Sequence, residues 1–248
     1  MSLLVAIRFL TRLPAGNVAS TAPDVGRSMR WFPLVGALLG AIYFAALKLL
    51  SPFLPSLVTS VLLVTIDALL TGALHLDGLA DTADGFGAGR SREDTLRIMR
   101  DHAIGSYGAS ALFLAIALKL AAINAVIANA SAAPALLLAA VLGRWSAVFS
   151  AAIAGYARPV EDDNPRSVGS PTRFVGRTEL IVATSTAAAV VLAFRSWRSA
   201  GASLAAAAIA AGWTLLCRSR IGGVTGDTLG AGVVIVECAV LVVFSAVG

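Results

Sequence analysis

The run YGASALFLAIALKLAAINAVIA, residues 107–128, carries a single charge, Lys119, among 22 residues. An α-helix of this length measures about 33 Å, which matches the ~30 Å hydrocarbon core of a bilayer. The segment therefore predicts a helix that crosses a membrane.

Six further apolar segments occupy most of the remaining chain. They are Phe32 to Leu50, Leu54 to Leu74, Pro134 to Gly155, Leu180 to Phe194, Ala202 to Cys217 and Gly230 to Val247. The chain is 58% hydrophobic and 13% charged, whereas soluble domains carry about 25% charged residues. We predict an all-α polytopic membrane helix bundle of about seven transmembrane helices, formed as a single domain by residues 1–248. The segments ending at Phe194 and Cys217 are short and rich in alanine, so one hairpin is the alternative to two spans.

The first 14 residues predict an amphipathic helix at the membrane surface. Arg8 and Arg12 interrupt the apolar stretch, and no small-residue cleavage site follows, so a signal peptide is not indicated. The two arginines share one side at helical spacing. The predicted apolar side consists of Leu3, Leu4, Ile7 and Leu10.

Arginine residues alternate along the connections between the apolar segments. Residues 51–53 and 129–133 contain no basic residue. Arginines are numerous before Phe32, in His75 to Ser106, in Tyr156 to Glu179 and in Arg218 to Leu229. The positive-inside rule predicts that these regions are cytoplasmic in a multi-pass protein of the cell inner membrane. The net charge of +5 is dispersed, which argues against nucleic acid as a partner.

Seven of the 14 acidic residues lie between residues 67 and 101. Within them HLDGLADTADG, residues 75–85, spaces Asp77, Asp81 and Asp84 at i, i+4 and i+7. A helix places these carboxylates within about 60° of one another, where they repel unless a cation lies between them. Oxygen ligands without cysteine or a histidine cluster favour Mg²⁺ or Mn²⁺. We predict a metal site at the three aspartates, with a solvated helix face as the alternative.

Further candidates follow this motif. Arg90 and Arg92 are placed to neutralise phosphate oxygens, or else they only enforce topology. Asp101 is a candidate metal ligand or catalytic base. His102 is a candidate general base or phosphate contact, and a structural role is the alternative.

The last arginine-rich connection is rich in glycine. Its sequence RSRIGGVTGDTL covers residues 218–229. Backbone N–H groups in such a loop can bind phosphate. We predict phosphate contacts at Gly222, Gly223, Thr225 and Gly226, and a metal ligand or base at Asp227. A plain flexible connection is the alternative.

Four charged residues fall inside predicted spans: Asp67, Lys119, Arg144 and Glu237. Each costs about 2.5–3.5 kcal/mol at the centre of a membrane helix, so we expect each to face the bundle interior or a wet cavity. A second span that continued into the aspartate helix would place Asp67 about 15 Å below Asp77.

Six motifs carry a family resemblance. They are Phe9–Pro14, Phe32–Gly36, His75–Gly85, Asp101–Gly108, Gly143–Trp145 and Gly222–Gly230. Together they resemble the cobalamin synthase family, the adenosylcobinamide-GDP ribazoletransferases. The loop that contains Glu161 to Pro165 matches no pattern of that family.

The resemblance implies a reaction and its partners. α-Ribazole or its 5′-phosphate attacks the cobinamide-linked phosphate of adenosylcobinamide-GDP and displaces GMP, with Mg²⁺ and arginines neutralising charge. It implies Asp77, Asp81 and Asp84 as metal ligands, Asp101 and Asp227 as further ligands or a base, and Arg144 as a substrate contact. The partners are corrinoid nucleotide and riboside substrates and membrane lipid, and a homo-oligomer is left open.

The corrinoid substrate that the resemblance implies needs space, and from the placement of aromatic residues alone we expect a wide cytoplasmic cavity for it. Four aromatic residues are expected to border it: Trp31, Phe32, Tyr107 and Trp145.

Two other functions compete with this interpretation. Asp81 to Gly85 is loosely similar to the aspartate motif of CDP-alcohol phosphotransferases, but the paired downstream aspartates are missing. A small cation transporter would use the charges within the spans, but the acids concentrate near the cytoplasmic ends and we see no internal repeat.

Overall fold

The computed structural model describes residues 2–16, 20–101, 103–158 and 170–246. Within these ranges it contains eleven α-helices and no β-strand beyond one isolated bridge. The helices are α1 (Ser2–Leu10), α2 (Ala22–Ser28), α3 (Phe32–Leu50), α4 (Ser56–Thr71), α5 (Leu74–Ala88), α6 (Arg92–Ile98), α7 (Ser106–Ala128), α8 (Ala132–Ala154), α9 (Arg177–Phe194), α10 (Trp197–Ile221) and α11 (Gly226–Ser245). Short 3-10 turns occupy Met29–Trp31 and Ser170–Phe174.

The predicted membrane helix bundle is confirmed. Six stretches of the described chain are long and apolar enough to cross a bilayer, namely α2 with α3, then α7, α8, α9, α10 and α11. The pair formed by α4 and α5 makes a seventh if it is counted as one broken span. The segments predicted at Leu180 to Phe194 and Ala202 to Cys217 are two separate helices, joined at Arg195, whose φ is 42°.

Helices α8 and α11 form the centre of the bundle. In each of them, 72% of the 18-residue stretch that is apolar enough to cross a membrane is buried inside the protein. Glycine permits the close approach of their neighbours. A Cβ on Gly40 of α3 would lie 2.6 Å from the Cα of Leu137, and one on Gly143 would lie 2.8 Å from the side chain of Glu237. The packing of the bundle therefore depends on close contacts at glycine positions.

The chain turns sharply between α4 and α5. Gly72 and Ala73 both have left-handed backbone angles, with φ of 63° and 56°, and the two helices are bent by 90°. The Arg12 N–H donates to the Leu70 carbonyl at 2.6 Å, which satisfies a carbonyl that the ended helix leaves free. The second span does not continue straight into the aspartate helix, because α5 starts in a new direction, so the condition for placing Asp67 about 15 Å below Asp77 is not met.

Helix α1 is present, and Leu10 of its predicted apolar side is buried in the bundle together with Val5 and Ala6, which lie outside that side. Leu4 of the same predicted side is 43% exposed. Phe9 stacks on Phe32 with ring centroids 5.8 Å apart. The side that packs is chosen by α2 and α3, which periodicity alone does not locate.

The charges within the spans face the interior, as predicted. Lys119 pairs with Asp67 at 2.9 Å and with Glu237 at 2.6 Å, and Arg144 also pairs with Glu237. The Tyr43 hydroxyl donates to Asp67 at 2.7 Å. Two acids therefore meet two bases, and this interior ion cluster is neutral overall.

Candidate active site

A cavity of about 140 Å³ lies at the arginine-rich end of the bundle. It is enclosed by α1, α2, α3, α5, α8 and α11 together with the 3-10 turns. Its polar lining includes His75, Asp77 and Asp227, and its apolar walls include Phe9 and Phe32. Two of the predicted aspartates thus share one cavity although 150 positions separate them.

The two carboxylates are brought together by a close contact between α5 and α11. A Cβ on Gly78 would lie 2.6 Å from the Asp227 carbonyl oxygen and 3.0 Å from its Cα. A Cβ on Gly230 would lie 3.3 Å from the Cα of His75. Glycine at these two positions lets the helices approach until Asp77 stands beside Asp227.

Threonine side chains fix the start of α11. The Thr225 Oγ1 accepts from the Thr228 N–H at 3.3 Å, and the Thr228 hydroxyl accepts from the Thr225 N–H at 2.8 Å. This reciprocal cap satisfies N–H groups that a helix start leaves free. The Thr225 hydroxyl also donates to Asp227 at 3.3 Å, so the predicted phosphate contact Thr225 serves the helix start.

The glycine-rich loop is not a free connection, because it pairs with the segment after α8. The Ala157 N–H donates to the Val224 carbonyl, and the Val224 N–H donates to the Gly155 carbonyl, both at 2.9 Å. A Cβ on Gly223 would lie 2.8 Å from the Gly155 carbonyl oxygen. The predicted residue Gly223 therefore holds two loops together, while Gly222 is exposed.

This pairing places Arg158 beside Asp227. The Arg158 Nη2 lies 3.5 Å from the Asp227 Oδ2, and the arginine side chain is 13% exposed. The Arg158 carbonyl accepts from Arg173, whose guanidinium lies over the Tyr156 ring. The sequence predicts no site residue within Tyr156 to Glu179. Arg158 could not be recognised from the sequence, because only the pairing of two distant loops brings it beside Asp227.

Arg90 and Arg92 differ in their surroundings. The Arg92 guanidinium donates to the Ile221 carbonyl at 2.8 Å and to the Ala157 carbonyl at 2.6 Å. It joins the region after α5 to the end of α10 and to the loop that carries Arg158. Arg90 is exposed, and its backbone N–H donates to Asp94 at 3.2 Å. Together with the hydrogen bond from Arg97, this contact holds the pKa of the Asp94 carboxyl below its ordinary value.

Asp84 has a different environment from Asp77. Its two oxygens accept from the backbone N–H groups of Gly105 and Gly108, each at 2.8 Å. These groups lie at the start of α7, where a carboxylate stabilises the free N–H groups and the helix dipole. The structure thus shows Asp84 joining α5 to α7.

The other predicted site residues lie apart from the cavity. Asp81 is half-buried one turn beyond Asp77, and Asp101 is exposed and accepts from the Ala103 N–H at 3.1 Å. Arg144 is fully buried in the interior ion cluster. His102 lies outside the described residues. Across the described ranges, no three His, Cys, Asp or Glu side chains are close enough to form a metal centre on their own.

Of the four aromatic residues expected to border a cavity, Phe32 alone is found in the lining that the structure describes. The Trp145 Nε1 donates to Thr184 at 3.0 Å beside a separate apolar groove. The Trp31 Nε1 donates to Ser2 at 2.9 Å. Tyr107 is 53% exposed. These three side chains do not line this cavity, because the rotation of a helix about its axis decides where an aromatic side chain points.

Fold and site together define an integral membrane protein with a polar, carboxylate-lined cavity at one end of its helix bundle. The chain matches the family model described as cobalamin-5-phosphate synthase over residues 2–245, and it belongs to that family. No solved structure matches the chain.

Several relatives match over nearly their whole length, and each is named adenosylcobinamide-GDP ribazoletransferase. The protein of Syntrophobacter fumaroxidans is 40% identical over 240 residues, which cover 95% of this chain and 94% of the relative. That of Rhizobium etli is 39% identical over 249 residues, covering 95% and 93%. That of Shewanella baltica is 36% identical over 252 residues, covering 99% and 94%.

Proposed function

We propose that this chain catalyses the reaction for which its relatives are named. It joins α-ribazole, or its 5′-phosphate, to adenosylcobinamide-GDP and releases GMP. A hydroxyl oxygen of the riboside forms a bond to the cobinamide-linked phosphorus, and the bond from that phosphorus to the GMP oxygen breaks. The observation that carries the proposal is the meeting of Asp77 and Asp227 in one cavity of a chain from this family.

We further propose Mg²⁺, with Mn²⁺ as a substitute, at Asp77 and Asp227. The donor set fits the ion, because Mg²⁺ is commonly held by one or two carboxylates together with substrate phosphates and water. The two carboxylates come from separate helices and share a cavity without a thiol ligand. When bound, the ion neutralises charge on phosphate oxygens. Asp81 and Asp101 remain predicted ligands, whereas the oxygens of Asp84 already have backbone partners.

Arg158 supplies a positive charge beside Asp227. Its guanidinium is 3.5 Å from Asp227 and is mostly buried, so it can form a fork with phosphate oxygens near the same place. The carboxylate of Asp227 or Asp77 is placed to accept the proton of the attacking hydroxyl. Phe9, Phe32 and Leu74 form apolar walls that exclude water from this end of the cavity.

We place the cavity on the cytoplasmic side of the inner membrane. The segments that carry Arg8, Arg92, Arg158 and Arg220 lie at the same end of the bundle as the cavity, and arginine-rich connections favour the cytoplasm. The phosphorylated substrates, which do not cross a membrane unaided, would then enter from the aqueous side.

The interior ion cluster favours an enzyme over a cation transporter. Asp67 and Glu237 are each paired with a basic residue, so neither is left as an unpaired carboxylate for a passing cation. No structural observation favours the alternative activity of a CDP-alcohol phosphotransferase. The experiment below tests that activity as well.

The experiment measures GMP release by the purified, detergent-solubilised chain with adenosylcobinamide-GDP and α-ribazole 5′-phosphate. We expect release that requires the riboside, requires Mg²⁺ and stops with EDTA. A well-folded preparation that releases no GMP with any divalent metal would contradict the proposal. If that preparation releases CMP from a CDP-alcohol, the protein is a CDP-alcohol phosphotransferase instead. GMP release that persists in EDTA would contradict only the metal.

A further inference from the structure

A second cavity, of about 190 Å³, lies between the end of α1 and the corner where α4 meets α5. Its lining consists of Arg8, Phe9, Thr11, Arg12, Thr71, Gly72 and Leu74. Phe9 and Leu74 also line the catalytic cavity, so the two cavities are neighbours. Two arginines and no acidic residue appear in the described lining, which makes this cavity a site of positive charge.

Arg12 is held in place from two directions. Its N–H donates to the Leu70 carbonyl at 2.6 Å, which fixes the backbone to the end of α4. Its guanidinium lies against Gly72, where any side chain would collide with Nε. Gly72 also has a φ of 63°, a left-handed conformation that favours glycine. The backbone bond fixes where the Arg12 side chain starts, and the side chain is exposed, so its guanidinium can reach an anion at this corner.

The two hydroxyl groups of the lining are already used. The Thr11 hydroxyl donates to the Ile7 carbonyl at 2.7 Å, and the Thr71 hydroxyl donates to the Asp67 carbonyl at 2.8 Å. The Arg12 guanidinium is therefore the principal donor that the cavity offers to a ligand.

The surroundings of this cavity belong to the membrane interface. Leu69, close to the corner, is 70% exposed, and Leu4 on α1 is 43% exposed. Exposed apolar side chains lie here beside arginines. This combination is typical of the boundary between the acyl chains and the headgroups of a membrane.

We propose that this cavity binds the phosphate of an anionic phospholipid, with Arg12 as the main contact and Arg8 as the second. The planar guanidinium forms two parallel hydrogen bonds with phosphate oxygens, which gives both strength and orientation. The same chemistry suits the 5′-phosphate of the riboside, because the catalytic cavity adjoins. The lipid assignment does not depend on the proposed function.

The test measures lipid retention by the detergent-purified full chain. Phosphatidylglycerol and phosphatidylcholine are titrated separately, and bound lipid is counted by native mass spectrometry. The variants are Arg12→Gln and Arg8→Gln. Arg27→Gln, an exposed arginine of α2 outside the cavity, is the control with the same change of charge.

We expect Arg12→Gln to weaken phosphatidylglycerol binding about tenfold, the equivalent of one charge-assisted hydrogen bond of roughly 1.4 kcal/mol. Phosphatidylcholine carries the same phosphodiester beside a choline cation, so we expect its binding to be weaker at the start and to fall less than that of phosphatidylglycerol. The Arg27→Gln control should change phosphatidylglycerol binding less than about twofold. Arg12→Lys, which keeps the charge but loses the fork, should fall between wild type and Arg12→Gln. Size-exclusion profiles and helical circular dichroism identify any variant that fails to fold, and Arg8→Gln then serves as the second test.

A kinetic arm separates the two sources of phosphate. If Arg12→Gln leaves lipid retention unchanged but raises KM for α-ribazole 5′-phosphate and not for α-ribazole, the lipid assignment is overturned and the site binds the substrate phosphate. If neither lipid retention nor KM changes in folded variants, the cavity binds no phosphate. Because the lipid arm needs no turnover, loss of the proposed function would not affect it.

Discussion

At the scale of single residues, the aspartates of α5 have separate tasks although one motif contains them. Asp77 is exposed to the cavity that it shares with Asp227. Asp84, two turns later, is buried and accepts two backbone hydrogen bonds from the start of α7. We therefore expect replacement by asparagine to lower activity at Asp77 and stability at Asp84.

Asp77→Asn should reduce GMP release by about 100-fold or more, because a carboxylate that would bind metal or accept a proton becomes a neutral amide. The thermal unfolding midpoint should stay within about 2 °C of wild type, since an exposed side chain is changed. Steady-state GMP release and circular dichroism melts measure the two effects. Glu93→Gln, an exposed change on α6, is the control. Wild-type turnover in Asp77→Asn would remove this carboxylate from the mechanism.

Asp81→Asn is expected to abolish turnover while membrane insertion is unaffected, because the shape of the side chain is kept and its charge is removed. GMP release together with the yield of membrane-extracted protein checks this. Full activity would show that the predicted role of Asp81 as a metal ligand is wrong.

Asp84→Asn should mainly lower stability. Loss of the charge from two hydrogen bonds at the start of α7 costs about 1.5–3 kcal/mol of unfolding free energy. Unfolding by titration with denaturing detergent, followed by circular dichroism, gives the change. A variant as stable as wild type but inactive would reverse the assignment and make Asp84 a catalytic carboxylate.

At the scale of helices, the proposed active site lies at a contact between α5 and α11. Gly78 lets the backbone of α5 reach the first turn of α11, and the Thr225 and Thr228 cap fixes where that turn begins. Arg92 then joins the region after α5 to the end of α10 and to the loop of Arg158. The distance between the two carboxylates is thus set by helix packing.

Gly78→Ala should separate α5 from α11 and lower kcat strongly, because its Cβ would lie 2.6 Å from the Asp227 carbonyl oxygen. A displacement of about 1 Å at a reacting centre can cost roughly 100-fold in rate. Gly212→Ala in α10 is the matched control, since nothing lies within 4 Å of its Cβ position. Equal activity of the two variants would show that close contact at Gly78 is unnecessary for turnover.

At the scale of the whole molecule, the interior ion cluster connects helices from distant parts of the chain. Asp67 comes from α4, Lys119 from α7, Arg144 from α8 and Glu237 from α11. Unpaired charges in hydrocarbon are costly. The favoured arrangement of these four helices is therefore one that pairs the acidic side chains with the basic ones. The cluster thereby specifies which helices are neighbours.

Lys119→Met should lower unfolding free energy by about 3–5 kcal/mol, because it leaves two buried carboxylates with too little positive charge. The double variant Lys119→Met with Asp67→Asn should recover part of that loss, since one of the two carboxylates is then neutral. Thermal melts in detergent measure both. A single variant as stable as wild type would show that the cluster does not hold the bundle together.

Sequence patterns predicted most of the fold and part of the site. Long apolar runs require helices in a bilayer because every backbone group must be satisfied within its own segment. Charge cost likewise predicted that Asp67, Lys119, Arg144 and Glu237 face inward. The break at Gly72 and the rotation of α1 were not predictable, because Ala73 in a left-handed conformation and the burial of Val5 depend on neighbouring helices.

The sequence by itself determined a membrane helix bundle with an aspartate helix at its arginine-rich end, and it predicted Asp77 and Asp227 as site residues. Composition and periodicity suffice there because they depend on solvent and on local geometry. Tertiary structure alone decided that Asp77 meets Asp227, that Asp84 serves the start of α7 and that Arg158 reaches the cavity. These pairings arise from glycine contacts and loop hydrogen bonds between segments far apart in the chain, and no local pattern encodes them.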